Sequence, residues 1–449
     1  MKYLGLLIIL ACIPLVSALI SSGPSGRRQV AFLLGLVPFF TQWAHLIIAP
    51  VSWPYWPGYA KGTEISLIDG IALGVIFSLR GNRAAANYAV PLFLLAGFAV
   101  LSAPGTPAPT AALFVAWQTL RVWLVFVAAS RLASDQDGIR AMIGGMVVGL
   151  GCNAVAALSQ RLQGVYQARG LFSHQNSLGL ATHFVALPAA ALYVADRRAK
   201  WALIGLGAAG AVAVLGASRA TVGLEAAGMA LLIVLIVMVW PSSRSMALLG
   251  AGILGMALLS PLAYKALAPR FASVENSTYD ERKAFTSAAL AMMHDHPGGV
   301  GANHYVIVAN VQGYSDRFKV AAVEGSRSAN VHNAYLLTAA EMGWAALVPF
   351  IWLTLGTAMH GLVWSLRSRE KRLSVMLLGS CVAQIVMAVH NWVEWVAVTY
   401  VIQVVMCLNL GIIAGLIGQV RATRRRSTLS DRAPDKPEAA AAAKMARSV

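Results

Sequence analysis

Apolar runs long enough to cross a bilayer as helix recur from the first residues of this chain nearly to Val420, separated by short polar stretches. Hydropathy places candidate spans at roughly 3–20, 30–48, 63–79, 88–103, 111–130, 139–159, 177–194, 201–217, 220–240, 245–264, 332–357, 373–390 and 396–418. The first run carries one Lys and small residues at its end, as a signal peptide does, but every later segment is also a span, so it reads as the first helix. The long polar segment 265–331 interrupts the series. Within it "TYDERKAFTSAALAMMHDHP" sets Ala284, Ala288 and Met292 at helical spacing, which predicts an amphipathic helix ended by Pro297. Beyond Arg426 the chain is poor in aromatic and branched apolar residues, so 421–449 reads as a basic, disordered tail.

With 58% of residues hydrophobic and 12% charged, a water-soluble domain is excluded. The expected fold is all-α, a polytopic transmembrane bundle of about 12–13 helices. It divides into an N-terminal bundle at 1–159, a second transmembrane domain at 160–420 that includes 265–331, and the tail. Cys12, Cys152, Cys381 and Cys407 all lie in apolar runs, which suggests neither disulfides nor a zinc site. The net charge of +17 comes mainly from loops that alternate along the chain. Arg27 and Arg28, Arg80 and Arg83, Arg131, Arg140, Arg197, Arg198, Lys200, Arg244, "RSREKR" at 367–372 and "RATRRRS" form one set, cytoplasmic by the positive-inside rule, as is the C-terminus. Membrane orientation therefore accounts for the surplus, and no nucleic-acid partner is expected. Thirteen spans would put the N-terminus on the opposite, outer side, and one re-entrant segment would put it inside.

The outer face collects the chemically unusual residues. Loop 160–176 offers Arg161, Arg169, His174, Gln175 and Asn176, and the turn "GASRATVG" offers Arg219, which either snorkels to headgroups or binds a ligand. Arg282 falls in the first turn of the amphipathic helix. Guanidinium forks suit phosphate oxygens, so Arg161, Arg169, Arg219 and Arg282 form a candidate diphosphate cluster. His332 and Asn333 open the eleventh span: an imidazole can take a proton from a hydroxyl and the adjacent amide of Asn333 can bind and orient substrate or imidazole, while the alternative is interfacial anchoring by His332 and capping by Asn333. His294 and His296 read as solvated helix-end residues, with no third metal ligand at a recognisable spacing. His390 and Glu394 stand at i, i+4, either supporting the site or as an interfacial pair beside Trp392 and Trp395. Asp69, Arg121 and Glu341 stand in apolar spans, where charge marks function or a helix fastener, and an Asp69–Arg121 pair is available.

The strings "GLFSHQNSLG" (170–179), "GASRATVG" (216–223), "MMHDHPGGVGANHY" (292–305) and "HNAYLLTAAEMG" (332–343) resemble, in order and spacing, the signature region of the bacterial O-antigen ligase and polymerase superfamily. The resemblance runs from near 160 to near 350. It implies a metal-independent, cofactor-free, membrane-embedded C-type glycosyltransferase that takes a glycan from undecaprenyl diphosphate at the periplasmic face of the inner membrane. The acceptor would be a glycan or lipid A core. Carried over by position, Arg219 and Arg282 look like diphosphate-binding arginines and His332 like the residue that activates the acceptor hydroxyl, with Arg169, His174 and Asn176 in the short external motif. A flippase and a chain-length regulator are candidate partners. After Gly343 the chain reads "WAAL" where ligases commonly show a second glycine and a small polar residue. "GLFSHQN" and "GVGANHY" look more like exopolysaccharide polymerases. Ligation of finished polysaccharide to lipid A core is the alternative, protein O-glycosylation a lesser one, and a flippase or transporter the reading from another class.

Overall fold

The computed structural model describes residues 2–44, 47–81, 85–216, 218–272 and 276–430. Arg83 and the tail from Asp431 lie outside the described residues. The chain is almost wholly helical. In order come α1 (Lys2–Ser21), α2 (Pro24–Leu36), α3 (Leu67–Ser78), α4 (Ala86–Leu101), α5 (Pro109–Leu132), α6 (Gln136–Leu162), α7 (Gln175–Ala195), α8 (Ala202–Leu215), α9 (Arg219–Val239) and α10 (Ser243–Ala272). The polar segment carries α11 (Asn276–Asp295), α12 (Tyr305–Val311), α13 (Tyr314–Arg317) and α14 (Glu324–Arg327). Then follow α15 (Ala334–Met342), α16 (Leu347–Ile351), α17 (Thr357–Arg367), α18 (Lys371–His390) and α19 (Tyr400–Ser430). A two-stranded antiparallel ribbon, β1 (Ile47–Ile48) with β2 (Ile65–Ser66), is the sheet among the described residues.

Eight of the described helical stretches are long and apolar enough to span a membrane, and α3, α4 and α8 are shorter apolar helices. The protein is a multi-pass membrane protein. Its arginine-bearing turns meet at one end of the bundle: Arg28 approaches Asp137 at 3.9 Å, Arg140 pairs with Asp137 and Asp196, and Arg244 bonds the carbonyls of Tyr193 and Asp196. Gln419, in the C-terminal half of α19, donates to the Ala133 carbonyl at that same end of the bundle.

Helix starts follow local chemistry. Pro109 opens α5 without a lost N–H bond, Asp135 caps α6 by accepting from Gly138 N–H at 2.7 Å, and Ser66 with Asp69 forms a capping box on α3. Packing relies on small residues: a Cβ on Gly35 would lie 2.1 Å from the Met142 carbonyl oxygen, and one on Gly145 2.1 Å from that of Phe32, so α2 and α6 touch backbone to backbone. The Asp69–Arg121 pair forms inside the bundle. Arg121 Nε and Nη2 reach Asp69 at 2.9 and 2.8 Å, Tyr400 donates to the other carboxylate oxygen at 3.0 Å, and the guanidinium lies over the Tyr400 ring at 3.8 Å. This saturated cluster joins α3, α5 and α19.

Two sequence expectations change. The run 30–48 is helical only to Phe39 and then turns into the ribbon. The run 332–357 is not one continuous helix: α15 stops at Gly343, whose φ of +83° sits against the Pro297 and Gly298 backbone, and the long span starts at Trp344. Glu341 therefore lies ahead of that span, accepting from Tyr59 Oη at 2.8 Å and Tyr305 N–H at 3.0 Å. The amphipathic helix appears as α11, with Ala284, Phe285, Ala288, Ala289, Met292 and Met293 buried on one face. That face, α12 and α15 form a small second core capping the bundle.

Candidate active site

Three chain segments build the site around His332. Asn333 caps α15 with its side-chain oxygen, accepting from Tyr335 and Leu336 N–H at 3.0 Å each, so the capping alternative for Asn333 is realised. The Ala334 N–H then donates to the carbonyls of Asn391 (2.9 Å) and Glu394 (3.2 Å), fastening the mouth of α15 to the turn after α18. On the third segment the His174 ring caps α7 by accepting from Asn176 N–H at 3.1 Å, which sets Asn176 in the first turn.

These segments meet on one carboxylate. Glu394 Oε1 accepts from Asn176 Nδ2 at 2.7 Å and faces His332 Nδ1 at 3.1 Å. A carboxylate oxygen accepts, so His332 Nδ1 donates and Nε2 is left with a free lone pair. The Glu394 side chain is 4% exposed and that of His332 28%, so a buried anchor holds an imidazole that reaches the surface. The Phe285 ring of α11 packs on the other side, 6.2 Å between centroids. Glu394 therefore serves His332 rather than pairing with His390, which corrects the interfacial reading of "VHNWVEW": α18 ends at His390 and the chain turns away.

The arginines arrive from different directions. Arg282 is exposed on α11 three residues before Phe285, on the same helix face as the ring beside His332. Arg219 is exposed as the first residue of α9. Two residues on, Thr221 meets α7 so closely that a Cβ on Gly179 would lie 2.3 Å from its hydroxyl, one turn below Asn176. Arg282 thus stands on a helix that touches His332, and Arg219 on one that packs against α7 a turn below Asn176. Arg161 and Arg169 are engaged in their own loop: Arg161 bonds the Tyr166 carbonyl at 2.5 Å and lies over its ring, and Arg169 bonds the Ser173 carbonyl at 3.3 Å. Gln160 and Asn153 fix that loop through the backbone N–H groups of 169, 170 and 171.

A second polar layer lies beneath, unanticipated except for His390. His183 Nδ1 bonds Glu225, and its Nε2 faces His390 Nδ1 at 3.0 Å. The carboxylate fixes the His183 proton on Nδ1, so a neutral His183 accepts from His390. A His and a Glu inside the apolar strings "ATHFVA" and "VGLEAA" were the available signal, since ionisable residues in spans are functional candidates by default. His294 is 88% exposed on Asp295 and His296 faces Gln312, so neither joins the site. Among the described residues no three His, Cys, Asp or Glu side chains are placed to hold a metal ion.

Chemically the arrangement offers one oriented imidazole with a free nitrogen, a buried carboxylate to stabilise it when protonated, and cationic side chains on the flanking helices. That set fits proton removal from a hydroxyl beside a phosphate-rich leaving group. No curated protein matches the chain. The O-antigen ligase family model matches residues 170–351, which contain the His332 corner apart from Glu394, both flanking arginines and the polar cap. Over those residues the chain carries an O-antigen ligase domain, which supports the O-antigen ligase and polymerase superfamily.

Proposed function

We propose that the protein is an inner-membrane glycosyltransferase that moves a glycan from undecaprenyl diphosphate onto an acceptor sugar hydroxyl at the periplasmic face. The observation that carries this reading is the His332–Glu394–Asn176 cluster at the mouth of α15. His332 Nε2 takes the proton of the acceptor hydroxyl as its oxygen attacks the anomeric carbon, and the bond to the diphosphate breaks with inversion. Glu394 holds the ring in one tautomer and stabilises the imidazolium, a role worth part of the roughly 100- to 10,000-fold that a positioned base supplies. Arg219 and Arg282 receive the negative charge that develops on the departing diphosphate. The positive-inside rule puts the arginine-rich end, with the C-terminus, in the cytoplasm and this cluster outside.

Within the superfamily we favour repeat-unit polymerisation, of exopolysaccharide or O-antigen, because the "GLFSHQN" and "GVGANHY" strings look more like exopolysaccharide polymerases and the "WAAL" after Gly343 departs from the ligase pattern. The ligase description of the matched family favours transfer of finished chains to lipid A core as the second reading. Transport fits less well: Arg121 and Asp69 are tied to each other and to Tyr400, which suits a helix fastener rather than a path.

The glycan profile of a strain lacking the protein separates these readings. Single repeat units left on lipid or core, with polymer lost, are expected for a polymerase. Full-length polymer stranded on undecaprenyl diphosphate identifies a ligase, and unchanged glycans in a strain without a second copy refute both.

A further inference from the structure

We propose that the end of the bundle opposite His332 carries a specific site for one anionic phospholipid, with its phosphate among Arg27, Arg80 and Arg131 and an acyl chain along α6.

Two cavities meet there. One, about 750 Å³, is polar and lies between the start of α2, the end of α3 and the α5–α6 turn, with Arg27, Arg28, Arg80 and Arg131 on its walls. The other, about 740 Å³, is an apolar groove on the outside of α6, lined by Phe32, Gly144, Val148, Gly151, Val155 and Trp201. Arg28 and Asp137 line both, so groove and polar cavity are continuous.

The charges in the polar cavity do not cancel. Asp135 is committed to capping Gly138 N–H, and Asp137 to Arg140 at 2.6 Å with Arg28 further off at 3.9 Å. Arg27 and Arg80, both exposed, have no carboxylate or carbonyl partner among the described residues. Arg131 is fixed in place by the carbonyls of Ile76 and Leu79, while its Nε is buried without a hydrogen-bond partner. Membrane orientation requires arginines at this end, but not a cavity that gathers four of them, nor an apolar channel running from it. A phosphodiester fits the surplus. Its chain would follow the groove into the hydrocarbon layer, as a soluble phosphate could not. A zwitterionic headgroup would bring an ammonium into the same positive field, which disfavours it.

The test uses the delipidated full-length protein in detergent, titrated with phosphatidylglycerol, phosphatidylethanolamine or glycerol 3-phosphate, with bound lipid counted by native mass spectrometry. One phosphatidylglycerol should bind saturably, about tenfold or more tighter than phosphatidylethanolamine, and glycerol 3-phosphate should not displace it at equal concentration. Arg27→Gln with Arg80→Gln should weaken binding by about tenfold or more. So should Gly151→Leu, which fills the groove at a position where an added Cβ meets nothing within 4 Å. Equal binding of the two lipids, or wild-type affinity in either variant with an unchanged melting temperature, overturns the proposal. Displacement by glycerol 3-phosphate also overturns it, by marking a free-phosphate site.

Discussion

Replacing Glu394 by Gln isolates the part of the site that the surface hides. The substitution keeps side-chain volume and one oxygen acceptor but removes the negative charge that faces His332 Nδ1 at 3.1 Å and Asn176 Nδ2 at 2.7 Å. A hydrogen bond to a charged group contributes about 1.5–3 kcal/mol, and this one strengthens only when the imidazole takes the acceptor proton. The loss therefore falls on the chemical step. At about 1.4 kcal/mol per tenfold, kcat should drop about 10- to 150-fold while KM for the lipid-linked donor stays within about twofold. The assay is transfer of a labelled lipid-linked glycan by purified protein in vesicles, with the melting temperature as control for folding. Wild-type kcat in a variant that melts normally would refute the reasoning. A raised KM with unchanged kcat would do so as well, by moving Glu394 to substrate binding.

Two further outcomes concern stability. Arg121→Met should lower stability by about 3–5 kcal/mol in a denaturation assay, because Asp69, 3% exposed, loses the cation it was buried with; a loss below about 1 kcal/mol would mean that Ser66 and Tyr400 suffice. Glu341 supplies a pH dependence: burial pushes its carboxyl from the ordinary 4.5 up to about 7, against the lowering effect of the Tyr305 N–H and Tyr59 hydroxyl. The folded state then holds the proton more tightly than the unfolded one, so its contribution is full below about pH 4.5 and is lost as pH rises to about 7, by about 3 kcal/mol in all. Glu341→Gln should flatten stability across that window; an unchanged slope would assign the pH dependence elsewhere.

Much of the architecture is legible in one dimension because a bilayer imposes length and apolarity on each span. The helical segments and the buried face of α11 follow from composition and spacing, which also made an Asp69–Arg121 pair available. What escaped has physical causes. Gly343 ends α15 by a positive φ that hydropathy does not register, so 332–357 read as one helix. Glu394 looked like the partner of His390 because i, i+4 spacing presumes a helix, and the helix stops at His390. Its true partners, Asn176 and His332, are 218 and 62 residues away in sequence. His332 itself was marked by its place at a helix mouth and by the family resemblance, and its orientation depends on that distant carboxylate.

The most direct measurement is glycosyl transfer by the purified protein in vesicles containing an undecaprenyl-diphosphate-linked repeat unit and an acceptor glycan, comparing wild type with His332→Ala. The account predicts elongated glycan from the wild type and a rate lower by about 100- to 10,000-fold from a variant that melts like it. A variant as fast as wild type, or a wild type that makes no glycosidic bond with any lipid-linked donor offered, would contradict it.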